Sequence, residues 1–135
     1  MHRAAAVALT GSALALMLSG CAFTFPPGAC SAVGWNNGVT VDAAAHGRDV
    51  FVQVCSDAGC SPEPGVEPTP ETDASIPVRG DGGVFFFGFD APDEITVRVY
   101  DGDVLLAETR ESIEWTHSTD ECGGPSTAPD VVLEA

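Results

Sequence analysis

The sequence predicts an all-β domain, a sandwich of seven to eight short antiparallel strands. Apolar and polar residues alternate with period two in one segment after another from Val39 onward. Turn-forming residues separate these segments at regular intervals, as expected for an antiparallel meander or sandwich. No stretch after Cys21 places apolar residues at the spacing of a helix, so helical classes are disfavoured.

The predicted strands follow one another along the chain, each bounded by a turn signal. The alternating segments lie at residues 39–45, 50–54, 95–100, 113–116 and 131–133, and a further strand at 84–90 is apolar on both sides. The turn signals are NNG at 36–38, HGRD at 46–49, APDE at 91–94 and YDGDV at 100–104. NNG fits a hairpin turn that follows a further strand near Trp35. Strands of this number and spacing are typical of an immunoglobulin-like sandwich.

The segment VFFFGFD at 84–90 is the most apolar stretch after the N-terminal region. In a continuous strand Phe85, Phe87 and Phe89 face one side, which predicts that they belong to the core, while Phe86 faces the other. The sequence leaves two explanations for Phe86. In the first, Phe86 is structural: the loop at 61–73 covers its ring, or the ring plugs an end of the core. In the second, Phe86 forms an exposed apolar binding patch with Leu105 or Phe51 on neighbouring strands.

The N-terminal residues have the organisation of a secretory signal. A basic start is followed by the apolar run Ala4–Leu18, whose fifteen residues rise only about 22 Å as a helix, short of a membrane core of roughly 30 Å. The run ends in LSGC at 18–21, which resembles the lipobox of bacterial lipoproteins. That resemblance implies cleavage after Gly20, acylation of Cys21 and attachment to the outer face of the cell membrane. We therefore expect a signal peptide at 1–20, a tether at 21–29 and the domain at 30–135.

The chain has five cysteines, an odd number for an exported protein. If Cys21 carries lipid, four remain, and an even set in an oxidising compartment indicates disulfides. Three pairings are possible. Cys55 and Cys60 flank the turn-forming SDAG, so a local bridge is easily formed there, and Cys30 with Cys122 would then join the two ends of the domain.

Charge restricts the partners. Twenty acidic residues stand against five basic ones, and after removal of residues 1–20 four arginines remain, for a net charge of about −16 with an acylated N-terminus. Such a surface argues against nucleic-acid binding and against direct contact with anionic lipids. The acidic, proline-rich SPEPGVEPTPETD at 61–73 is expected to form a solvated loop.

The sequence contains few residues or motifs typical of catalysis. It has neither G-x-S-x-G nor H-E-x-x-H, and Asp101 and Asp103 begin like a calcium loop that fails at Leu105. His117, Asp120 and Glu121 lie close enough in sequence for a metal site, but a polar loop explains them more simply. We therefore expect no enzyme, no cofactor and no bound metal.

Four segments add a wider resemblance: CSAVGW, VQVCSDAGCSP, APDEITVRVYDGD and CGGPSTAPDVVL. Over residues 30–134 the chain resembles short, uncharacterised, immunoglobulin-like lipoproteins of actinobacteria, which implies fold and location but no activity. The leading hypothesis is a membrane-tethered module that binds an extracellular protein or small ligand. The alternatives are a structural envelope protein without a ligand and an acidic lipoprotein that captures metals or solutes.

Overall fold

The computed structural model describes residues 28–30, 34–69 and 73–135. The predicted signal peptide at 1–20 and the lipidation site Cys21 lie outside the described residues, as does most of the tether. Within the described ranges no helix has the length and apolar character needed to cross a membrane. The strands are β1 Gly38–Asp42, β2 Phe51–Ser56, β3 Gly59–Cys60, β4 Val78–Arg79, β5 Val84–Phe86, β6 Glu94–Asp101, β7 Val104–Ser112 and β8 Val131–Val132.

Two four-stranded sheets form the predicted sandwich, with strand orders β4-β5-β1-β8 and β3-β2-β6-β7. In immunoglobulin domains one sheet has strands A, B, E and D, and the other has C, F and G, with C′ added in variable-type domains. When β1 is matched to strand B, the two sheets correspond to D-E-B-A and C′-C-F-G. The predicted all-β sandwich is therefore confirmed, and its strand order is that of an immunoglobulin-like domain except that the strand in the place of A comes last in the chain.

One pair of strands departs from the predicted antiparallel arrangement. β8 occupies the place of strand A and pairs with β1 in parallel, Val41 opposite Val131. The chain reaches β8 by crossing from the other sheet instead of turning through a hairpin, so the connection does not require antiparallel pairing.

The core lies between the sheets and is built from the inward residues of the alternating segments. Phe85, Phe87, Val54 and Val99 are fully buried. β6 shows the pattern most clearly, because its inward residues Ile95, Val97 and Val99 alternate with half-exposed ones. β1 and β6 take the places of strands B and F, which a disulfide joins in antibody domains; here valines fill that part of the core.

Three predicted strands and one predicted turn are wrong in detail. The segment at 113–116 is not a strand, because β7 ends at Ser112 and Thr116 makes only an isolated bridge with Thr127. β1 ends at Asp42 because its carboxylate accepts a hydrogen bond from the Ala44 N–H (2.9 Å) and the chain enters a 3-10 turn at Ala44–His46. The NNG triplet is not a hairpin turn, since residues 34–37 are not a strand and lead directly into β1.

Phe89 is not a core residue, contrary to the alternation of VFFFGFD. β5 ends at Phe86, Phe87 is still buried, and Gly88 adopts a φ of +63°. The N–H of Asp90 then donates to the carbonyl of Phe87 (3.1 Å), which closes a turn. The turn reverses the side on which the next side chain points, and Phe89 is 65% exposed.

Both favoured disulfides are present. Cys55 and Cys60 face each other across the β2–β3 pair and are bonded, and Cys30 is bonded to Cys122 over a sequence separation of 92. The first closes a tight hairpin and the second ties the N-terminal end of the domain to the segment before β8.

A candidate binding groove on the outer face of one sheet

Phe86 lies on the outer face of β5 with its ring against the backbones of neighbouring strands. A Cβ atom on Gly38 of β1 would lie 2.9 Å from Cδ1 of Phe86, and one on Gly80 would lie 2.6 Å from Cε2. Both contacts are closer than real Cβ atoms allow, so only glycine fits on either side of the ring. Phe86 is therefore a partly buried platform residue, not a plug in the core.

Two further aromatic side chains stand beside Phe86, and each also rests on a glycine. The rings of Trp35 and Phe89 meet edge to face, with centroids 5.4 Å apart and planes at 90°. Phe89 packs directly on Gly34, and a Cβ on Gly123 would lie 2.5 Å from the Trp35 ring. Glycine thus lets the backbone approach each ring closely.

Together these side chains form what we call the aromatic groove, an open cavity of about 530 Å³. Sites for small molecules and cofactors commonly fall between about 300 and 1,000 Å³. Its described lining contains no charged side chain, and Asn36 is the polar one. The lining residues are Gly34, Trp35, Asn36, Ala74, Val78, Phe86, Gly88 and Phe89.

Buried Asn37 fixes the shape of this groove. Its Nδ2 donates to the carbonyls of Phe89 and Asp90, both at 3.0 Å, and its Oδ1 accepts from the N–H of Ser126 at 2.7 Å. Its own N–H donates to the carbonyl of Gly88 (2.7 Å). One side chain therefore holds three segments that are distant in sequence, and the two walls of the groove are preorganised.

The polar group in the lining is also occupied. Oδ1 of Asn36 accepts a hydrogen bond from the N–H of Gly88 at 2.8 Å. The N–H of Phe87 donates to the carbonyl of Asn37 at 2.8 Å. Much of the hydrogen-bonding capacity of the groove is thus used internally, which leaves aromatic rings as its main contact surface.

The predicted patch of Phe86 with Leu105 or Phe51 does not form. Phe86 belongs to one sheet, whereas Phe51 on β2 and Leu105 on β7 belong to the other, so these strands are not neighbours. Phe51 and Leu105 instead lie opposite Tyr100 of β6 from its two sides. The ring of Phe51 is further covered by the guanidinium of Arg79, 5.5 Å from its centroid.

The outer face of this second sheet is otherwise polar. Nε of Arg98 donates to Glu108 at 2.6 Å, and this contact raises the pKa of Arg98 above its ordinary value. Buried Gln53 donates through Nε2 to the carbonyl of Ser61 at 2.8 Å, so the start of the acidic loop lies on this sheet and not over Phe86. These contacts are structural, because each polar group has a partner within the fold.

The described residues contain no group of three or more His, Cys, Asp or Glu side chains that could hold a metal ion. The His117 ring nitrogen Nδ1 is hydrogen-bonded to Ser126 (2.8 Å), and Asp120 accepts a bond from the N–H of Cys122 (2.9 Å). The structure therefore does not bring His117, Asp120 and Glu121 together as a site.

Sequence reasoning found Phe86 but missed Trp35, Phe89 and Asn37, because their contacts join segments far apart in the chain. The two asparagines before Gly38 were interpreted as a turn signal, which left the buried hydrogen bonds of Asn37 unrecognised. In comparisons with protein-family models, curated proteins and solved structures, the chain matches none of them.

Proposed function

We propose that this protein is a non-catalytic binding module, held at the extracellular face of the cell membrane by lipid on Cys21. Its aromatic groove takes an extended, proline-rich segment of a partner protein that carries basic residues on both sides of the prolines. The single observation that carries the proposal is the set of three aromatic rings, half-buried Trp35 and Phe86 and exposed Phe89, that line one groove on a preorganised backbone.

The chemistry of the groove favours proline over other ligands. Trp35 and Phe89 stand perpendicular, and aromatic-lined grooves of this kind accept the rings of a polyproline helix. A polyproline helix has no internal hydrogen bonds and its backbone is solvated by water. Its binding therefore requires few hydrogen bonds from the polar groups of the groove. A sugar would need several free donors and acceptors, whereas Asn36 and Asn37 already bond within the fold.

Charge complementarity favours basic flanks. The exported chain carries a net charge of about −16, from twenty acids and four arginines, and the groove's own described lining is uncharged. Long-range attraction then raises the rate of encounter with a basic partner, and this attraction weakens as salt is added.

The location is supported by the N-terminal sequence. The LSGC tetrapeptide ends a short apolar run, and nine residues at 21–29 span up to about 30 Å when extended. This length allows the domain to stand clear of the anionic head groups, which its charge would repel.

The lipid anchor is tested at Cys21. Cys21→Ala should release the protein from the membrane fraction, and mass spectrometry of the native N-terminal peptide should find thioether-linked lipid. An unmodified N-terminus elsewhere would contradict the anchor.

The groove is tested with two synthetic peptides that share a central run of prolines and differ in their ends, arginines in one and glutamates in the other. NMR of the full-length protein in detergent micelles follows both tryptophan indole N–H groups. The Trp35 signal should shift with the arginine peptide, whereas the Trp115 signal should not, because its Nε1 donates internally to Pro92 at 2.9 Å.

Phe89→Ala should weaken binding of the arginine peptide roughly tenfold, since stacking residues at the centre of a site carry much of the affinity. Val132→Ala is the matched control, because Val132 is as exposed as Phe89 but lies on β8. Equal loss in both variants, or no shift at Trp35, would exclude the groove as the site.

A structural envelope protein without a ligand is the main alternative. It would be expected to present polar faces, and the exposed ring of Phe89 argues for a binding role instead.

A further inference from the structure

Strand β7 presents a long edge to solvent. It spans nine residues, Val104–Ser112, pairs with β6 on one side, and has no strand on its other side within the described part of the chain. It contains no proline. Exposed edges of this length are templates for pairing with another strand unless something protects them.

The backbone groups on this edge can be assigned. The N–H of Ile113 donates to the carbonyl of Asp93 at 2.8 Å, so residue 113 faces β6. Backbone groups alternate along a strand, and therefore Glu108, Arg110 and Ser112 direct their N–H and C=O groups away from β6. We propose that this edge pairs antiparallel with β7 of a second copy of the chain, with the two-fold axis at Thr109.

Charge selects that register among the possible ones. An axis at Thr109 places Glu108 opposite Arg110 of the second copy, and symmetry repeats the pair on the other side of the axis. Within one chain Glu108 already accepts from Arg98 at 2.6 Å and Arg110 lies 3.6 Å from Glu94, so the new contact would join these two pairs across the interface. An axis at Glu108 would place the Glu108 side chains of the two copies opposite each other. An axis at Arg110 would do the same with the two Arg110 side chains. Opposite charges across strands stabilise the pair and like charges destabilise it.

Thr109 supplies an independent observation. Its hydroxyl oxygen is buried and has no hydrogen-bond partner in the described structure. An unpartnered buried polar group is unfavourable, and native structures contain few of them. On the axis, the two Thr109 side chains form a directly opposed pair, and rotation about χ1 would bring each hydroxyl out of its buried position to hydrogen-bond with the other.

The ends of the strand also come into contact in this register. At the hairpin tip Val104, Leu105 and Leu106 are 64%, 48% and 47% exposed. The same register places Leu106 opposite Ser112 of the second copy, beside a cavity of about 240 Å³ whose lining combines apolar residues such as Ile113 and Val132 with the acidic residues Glu111, Glu114 and Asp130. Two-fold symmetry repeats this contact at the other end of the strand pair, and the apolar part of the lining is what each tip can contact.

The dimer is expected to be weak in dilute solution. A single strand pair with two apolar tips falls below the roughly 1,200 Å² of stable interfaces, and two domains of net charge about −16 repel each other. Tethering raises the effective concentration of copies on one membrane. That enhancement rests on the proposed lipid anchor, whereas the strand pairing itself does not.

Cysteine cross-linking of the full-length protein tests the axis, both in membranes and in detergent. Thr109→Cys should form a disulfide-linked dimer on mild oxidation, because directly opposed residues bring their Cα atoms to about 4.5–5.5 Å. Glu111→Cys is the control on the same strand, since its two copies would lie about 14 Å apart across the axis. Equal cross-linking of the two variants would overturn the proposal.

Charge reversal at the paired residues tests the register, with the same Thr109→Cys cross-link as the measurement. Added to Thr109→Cys, Arg110→Glu should slow cross-linking roughly tenfold, because it places two glutamates opposite each other. The further change Glu108→Gln should restore most of the rate, because it removes this repulsion while the amide oxygen can still accept the bond from Arg98. Sedimentation of the wild type and of Arg110→Glu alone should show the same difference in dimer fraction. Unchanged association in Arg110→Glu by both measurements would refute the register.

Discussion

Phe86 and Phe87 are neighbours in sequence but have different environments. Phe87 is fully buried and packs edge to face on Trp115, with centroids 6.1 Å apart. Phe86 points to the other side of β5 and lies over two glycines at the floor of the aromatic groove. Strand alternation sets this difference, and the adjacent pair offers a direct comparison between a core ring and a surface ring.

Phe87→Ala should lower the free energy of unfolding by about 3–5 kcal/mol, because it leaves a cavity in the core. Phe86→Ala should cost only about 1–2 kcal/mol, since part of the ring is already in contact with water. Urea unfolding of both variants measures the difference. Equal losses would show that Phe86 belongs to the core, and the groove would then lack its floor.

Asn37 is the polar side chain on which the groove depends most. Asn37→Ala should destabilise the protein by about 2–4 kcal/mol, because the carbonyls of Phe89 and Asp90 and the N–H of Ser126 lose their bonds in a buried place. Asn36→Ala removes one exposed bond to Gly88 and should cost about 1 kcal/mol or less. Urea midpoints that fall together would contradict this role for Asn37.

At the scale of elements, short turns decide where strands end. Gly88 ends the β5 segment with a φ of +63°, and Gly102 forms the β6–β7 hairpin with a φ of +57°. The two glycines share a left-handed backbone but differ in surroundings. A Cβ on Gly88 would lie 2.6 Å from the carbonyl oxygen of Ala74, whereas one on Gly102 would meet nothing within 4 Å.

Gly88→Ala should therefore cost about 2–4 kcal/mol, from both backbone strain and the contact with Ala74. Gly102→Ala carries the backbone strain alone and should cost about 1–2 kcal/mol. Thermal unfolding of the pair checks the difference. If Gly102→Ala proves the more harmful, the close approach of the 74 and 88 segments is not what requires glycine.

At the scale of the whole molecule, the two disulfides constrain loops of very different length. Cys30–Cys122 has a sequence separation of 92 and Cys55–Cys60 one of 5. In the chain-entropy account, a loop near 100 residues restricts the unfolded chain by about 4.7 kcal/mol, and the stabilisation falls with the logarithm of loop length.

Replacing both Cys30 and Cys122 by serine should therefore lower the melting temperature more than replacing Cys55 and Cys60. Calorimetry of the two double variants under non-reducing conditions measures this, and each double change avoids leaving a free thiol. A larger loss from the Cys55 and Cys60 change would mean that the β2–β3 hairpin contributes more than the closure of the chain.

The sequence by itself determined the class of fold, the sandwich core and the favoured disulfides. Period-two alternation in segments such as EITVRVY indicates which side chains face inward, and DGD at 101–103 indicates a tight turn. Both signals depend only on residues that are close in sequence, so they can be recognised without the tertiary structure. The same locality explains why β6 was predicted well. β7 has no clear alternation in VLLAETRES and was not predicted as a strand, while the strands expected near Trp35 and at 113–116 did not form.

The aromatic groove and the edge of β7 were decided by the tertiary structure. Trp35, Asn37, Phe86 and Gly123 meet only after the chain has crossed between the sheets, and alternation carries no information on which strands become neighbours. Phe51 and Leu105 were for that reason placed beside Phe86 when they lie on the opposite sheet. Local patterns fix the side on which a residue points; strand order fixes what it meets there.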